Sequence, residues 1–183
     1  MTASFTSMDT GTREQWEVIG KEHQVLQTSV PGRIKTMLRQ LADIEGGFGV
    51  NQLVHSLQTA TRAERGRASD EMILASLCHD IGKVISVPNH PAIAAEILKP
   101  YVSAEVYWVI LTHQDFQGRH YYQYLGLDPQ SRQKHVGHPA YQLGEQFADE
   151  WDQTSFDPNY ETLPLEHFEP LVDRLFSRPR AMV

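Results

Sequence analysis

The dipeptide His79-Asp80 closes the apolar run Ala75-Ser-Leu-Cys-His-Asp-Ile-Gly-Lys83, and it constrains the fold more than any other feature. An imidazole and a carboxylate on a buried helical turn need partners, because a polar group buried alone costs roughly 2–7 kcal/mol. The same demand recurs along the chain. His55 lies within Asn51-Gln-Leu-Val-His-Ser-Leu-Gln58, His113 follows Val109-Ile-Leu-Thr112, and Asp152 follows Phe147 and Trp151. His90 stands before Pro91 at a helix start. These groups are satisfied together if their helices converge on one cavity, a recurring way of building metal sites in helical proteins. A carboxylate can bridge two ions and an imidazole binds one. With a single cysteine, Cys78, the donor set suits Fe, Mn or Zn. The pattern therefore predicts one polynuclear metal centre with ligands His55, His79, Asp80, His90, His113 and Asp152. His23, His120, His135, His138 and His167 lie in polar or loop contexts, with His120 and His138 the nearest to a pocket.

Apolar periodicity predicts helices almost throughout. They cover Arg13 to about Gln27, a segment opening at Pro31, about Asn51 to Arg65, and a helix capped by Ser69 that carries His79 and Asp80. Further helices follow from Pro91 to Leu98, Ala104 to about Tyr122, Tyr141 to Trp151, and Leu165 to Phe176. Glu45-Gly-Gly-Phe-Gly49 reads as a loop, since three glycines in four positions cost too much helix stability. No segment has a strand's period of two. The expected fold is all-α, a single compact helical bundle over residues 13–183, with residues 1–12 disordered.

At 183 residues and a formal charge of −7, the chain has no basic stripe for nucleic acid. Cys78 alone excludes an intrachain disulfide and fits a reducing compartment. No apolar run is long enough for a membrane span, and no signal peptide opens the sequence. The expectation is a cytoplasmic protein acting on a small molecule, with neither nucleic acid nor membrane as partner.

The order His55, His79-Asp80, Asp152 resembles the signature of HD-domain metalloproteins, an all-helical superfamily. The stretches Asn51–Gln58, Asp70–Asp80 and Trp151-Asp152 are most similar to small HD-domain diiron oxygenases. Those enzymes split the carbon–phosphorus bond of hydroxyalkylphosphonates and are relatives of inositol oxygenase. The resemblance implies two iron ions, mixed-valent Fe(II)/Fe(III), with Mn or Zn as the alternative. His55, His79, Asp80 and Asp152 would hold one iron, and Asp80, His90 and His113 the other, Asp80 bridging. It further implies O2 as co-substrate. Asp80 and Lys83 are the expected catalytic residues. Lys83, Gln117, Arg119, His120 and Glu45 are the expected substrate wall.

The chain departs from that subgroup at three places. A loop Tyr and Glu that close the family site correspond to Glu45 and Phe48. A phosphonate-binding Lys corresponds to Gln117 or is displaced to Arg119. An Arg before the last ligand corresponds to Asp149, which with Glu45 hints at a cationic substrate group. His79-Asp-Ile-Gly-Lys83 with His90-Pro91 is also similar to the start of HD-GYP phosphodiesterases, but no Gly-Tyr-Pro element follows. The reading is a diiron oxygenase cleaving a C–P or C–C bond of a small hydroxylated substrate. The alternative is a dinuclear phosphohydrolase of phosphate mono- or diesters.

Overall fold

The computed structural model describes residues 3–180, and among them there are helices and turns but no strand. Helix starts are set by side chains that capture free backbone N–H groups. Thr12 and Gln15 form a capping box ahead of α1, Arg13–Thr28. Pro31 sits in the first turn of α2, Val30–Gln40. The Asn51 side chain accepts from Val54 N to start α3, Gln52–Arg65. Ser69 does the same for α4, Asp70–Cys78, and Ser103 for α6, Ala104–Tyr121. Between them, α5 spans His90–Leu98. Helix α7 covers Tyr141–Gln146 and α8 covers Leu165–Phe176.

Helix α4 is the centre of the bundle, because every residue from Met72 to Cys78 is buried. A helix apolar on all sides has to be surrounded. It packs against α3, α5, α6 and α8, while α2 packs on α8 and α5 on α6. Leu38, Leu41, Leu74, Leu77, Ile81, Ile110, Phe147, Phe168 and Phe176 fill the interior. Helix α1 contributes no buried residue and lies on the outside. Ahead of it, Met8–Thr10 forms a 3-10 turn and the Phe5 ring lies 5.1 Å from Trp16.

Two elements differ from the sequence expectation, and both carry site residues. The helix expected to run through Asp80 ends at Cys78. Asp80 takes φ −101° and ψ 3°, and Ile81–Val84 tightens into a 3-10 turn. Beyond the break, Gly82 lies against the backbone of His90. The helix expected over Tyr141–Trp151 is α-helical only to Gln146 and continues as a π turn, Phe147–Asp152. Such wide turns carry no sequence signature and recur at functional positions. The Glu45–Gly49 loop is present, with Gly46 and Gly47 at φ 62° and 83°, a region that favours glycine. The segment between Gly126 and Pro139 is tied to α6. His135 Nε2 meets Asp115 Oδ2 at 2.9 Å, and the His138 ring stacks on Trp108 at 3.7 Å.

Candidate metal centre

Five elements deliver the six expected ligands to one place. His55 comes from α3, His79 and Asp80 from the end of α4, His90 from the start of α5, His113 from α6 and Asp152 from the π turn. All are buried. Each imidazole is oriented the same way. Nδ1 of His55, His79, His90 and His113 lies 2.9, 2.8, 2.7 and 2.7 Å from the carbonyls of Ser155, Ser76, Val87 and Ile110. A carbonyl only accepts, so Nδ1 carries the proton in the neutral ring and Nε2 presents its lone pair.

Those lone pairs point at other acceptors. His55 Nε2 lies 3.1 Å from His79 Nε2 and 3.1 Å from Asp152 Oδ1. Asp80 Oδ2 lies 3.5 Å from His55 Nε2 and 3.4 Å from His79 Nε2. The other Asp80 oxygen, Oδ1, faces His90 Nε2 at 3.1 Å and His113 Nε2 at 3.9 Å. Asp80 Oδ1, Asp152 Oδ1 and His113 Nε2 are buried without a hydrogen-bond partner. A cluster of lone pairs facing lone pairs is held together by a cation. His55, His79 and Asp152 form one compact group that can hold a metal ion, and His79, Asp80 and His113 form another. His90 lies outside both groups of three and reaches the centre through Asp80 Oδ1. The donor set fits divalent metal, with the Asp80 carboxylate between the two halves.

Electrostatics without a cation show the same tension. Burial, the largest influence, depresses His79, but Asp80 and Asp152 outweigh it and raise its pKa to about 8. Burial and then the neighbouring His79 pull His113 down to about 4. Burial alone would raise the two carboxylates. The imidazoles around them, His79 first, hold both well below the ordinary range.

A second layer fixes the carboxylates. Lys83 Nζ donates to Asp80 Oδ2 at 2.6 Å and to Gln52 Oε1 at 2.8 Å. The Gln117 amide donates to Asp152 Oδ2. A cavity of about 470 Å3 opens onto His55, Asp80 and His90. Lys83, Gln117 and His120 line it, with Gln114, Tyr121 and Gln153 beside them.

Four residues expected at or near the substrate wall lie elsewhere. Glu45 is exposed and does not line the cavity; its loop presents Phe48 there instead. Arg119 does not line it either, since its half-exposed side chain turns outward, 3.9 Å from Asp149 Oδ2. Asp149 offers no free charge to a cationic substrate. Arg132 Nη1 holds both its oxygens at 3.0 Å, and His120 Nε2 lies 2.9 Å from Oδ1. His138 stacks on Trp108 and is absent from the cavity wall.

Sequence reasoning missed Phe156. Its ring stacks on His55 at 4.3 Å and on Phe48 at 4.5 Å, so the three rings form a column at the cavity edge. It also missed the buried Arg132, and Gln52 as a partner of Lys83. Gln52 had a local signal, since it stands one turn before His55 on the same helix.

Among the described residues no helix is long and apolar enough to cross a membrane. A family model described as HD domain matches residues 52–156, a span that contains all six candidate ligands. No curated protein matches the chain.

Proposed function

The chain belongs to the HD-domain family, whose members are generally metalloenzymes, and on that premise we propose that it is a diiron oxygenase. It uses O2 to cleave a C–P or C–C bond of a small hydroxylated substrate. The observation that carries this reading is the Asp80 carboxylate. One oxygen faces His55 and His79 and the other faces His90 and His113, at the floor of a cavity large enough for a small substrate. Four imidazoles with two carboxylates make a nitrogen-rich set suited to redox-active iron. Two irons there would supply O2 binding and one-electron oxidation beside the substrate.

The protein's own groups do the rest. Lys83 holds Asp80 Oδ2 and brings a positive charge to the cavity edge, where a substrate oxyanion gains most from it. Gln117 fixes Asp152 from the cavity side. His120, oriented by Asp149, and the Gln114 and Gln153 amides offer hydrogen bonds to hydroxyl groups. Phe48 and Phe156 shield the His55 side from water. Among the lining residues Lys83 is the one fixed cation, and it is already shared between Asp80 and Gln52. That suits a substrate of low negative charge, which favours a polyol and C–C cleavage over a phosphonate or a phosphate ester.

The second reading is a dinuclear phosphohydrolase, favoured by family membership and by Lys83 beside the site. Two metals would then clamp a phosphoryl group and activate water. The test is O2 uptake by anaerobically iron-loaded protein over hydroxyalkylphosphonates and polyols, run beside Mn- or Zn-loaded protein with a generic phosphate ester. Substrate-dependent O2 uptake supports the oxygenase. Ester turnover without O2 uptake replaces it with the hydrolase.

A further inference from the structure

Gly82 lies in the buried turn Ile81–Val84, two residues after Asp80. A Cβ built there would sit 2.4 Å from the His90 carbonyl oxygen, 2.8 Å from its Cα and 3.0 Å from its carbonyl carbon. All three are main-chain atoms, so no side chain can swing aside to make room. Resting on the two-metal reading above, we propose that Gly82 is the positioning residue of the second metal site. Its missing side chain lets the first residue of α5 seat against the turn that follows Asp80.

The seat matters because His90 has few other constraints. Its Nδ1 bonds the Val87 carbonyl at 2.7 Å, and its Nε2 meets the centre only through Asp80 Oδ1 at 3.1 Å. Gly82 O in turn accepts from Ile85 N and Ser86 N, both at 2.9 Å, which fixes the turn that faces α5. Restoring ordinary contact, 3.4 Å or more, would need about 1 Å of movement at His90 or the turn. Metal–ligand distances tolerate only about 0.2 Å. In the other group of three, His55 and Asp152 come from elements distant in sequence from the turn. His55, His79 and Asp152 are anchored by α3, α4 and the π turn, and none is among the atoms nearest the added Cβ.

The test is anaerobic titration of metal-free full-length protein with Mn(II), counting free ion by EPR, for the native chain, Gly82→Ala and His90→Ala. Far-UV circular dichroism and thermal melts are recorded on the same samples. The native chain is expected to bind two ions. Gly82→Ala is expected to keep the first with unchanged affinity and to bind the second roughly 10–100-fold more weakly, as when a supporting partner of a ligand is lost. His90→Ala should give the same one-site pattern without the backbone clash. Two sites of native affinity in Gly82→Ala would overturn the proposal. So would loss of the folded state, because the glycine would then serve the whole bundle rather than His90. A single ion bound by the native chain would remove the two-metal reading itself, and Gly82's role with it.

Discussion

Chelating the metal should leave a protein whose stability falls as pH rises through neutrality. In the metal-free centre the lone pairs of His55 and His79 face each other and two carboxylates. The relief open to it is a proton on His79, whose pKa is about 8 against an ordinary 6.5. Burial, the largest influence, opposes that proton, and Asp80 and Asp152 prevail. The folded-state pKa is raised, so the stabilisation is fully present below pH 6.5 and lost as pH climbs through 8. Lifting His79 from 6.5 to about 8 corresponds to about 2 kcal/mol. For a chain of this size that is about 4–8 °C in Tm. His113 has the opposite sign. Pulled down to about 4, first by burial, it costs stability as pH falls from 6.5 through 4. The chelated protein should therefore be most stable near pH 6.5. The loaded protein should show no loss between pH 6.5 and 8, because metal requires the neutral imidazole. Thermal melts with and without chelator at pH 6.5 and 8 read both effects. A chelated Tm that is flat or rises over that interval would refute the reasoning.

Asp80→Ala removes the carboxylate that faces both halves of the centre; metal analysis after dialysis should find the second ion gone and the first held at least tenfold more weakly. Lys83→Met removes both the ammonium at the cavity edge and the partner of Asp80 Oδ2, so metal analysis should show binding weakened roughly 10–100-fold and kinetics of the fully loaded protein a turnover at least tenfold lower. Leu38→Ala, at a fully buried position in α2, should cost about 2–5 kcal/mol in denaturant melts without changing metal content. Phe156→Ala should raise the solvent access of the His55 side, read as faster loss of metal to chelator, with little change in global Tm.

The candidate ligands other than His90 stand out in the sequence because each is a polar residue beside apolar helical residues, and burial allows few uses for such a residue; His90 stands at a helix start. Helix starts were legible where a side chain announces them, as at Asn51, Ser69 and Ser103. Helix ends near the centre were not. Helix α4 ends at Cys78, shortly before a turn whose Gly82 meets His90, a contact between residues that periodicity treats separately. The π turn at Phe147–Asp152 packs against α3 and α6, neighbours that local periodicity does not reveal. The cavity wall was the least legible. Arg119 and Asp149 are a charged pair at its outer side, and Glu45 yields its place to Phe48. Which face of a polar loop turns inward is settled by neighbours such as Arg132 and Phe156, whose local sequence is unremarked.

Metal content of anaerobically purified protein, followed by EPR after partial oxidation, tests the central claim most directly. The account predicts about two irons per chain and a low-field mixed-valent signal that shifts when a hydroxylated substrate is added. One metal per chain, or two Mn or Zn ions with ester hydrolysis and no such signal from iron-loaded protein, would contradict it.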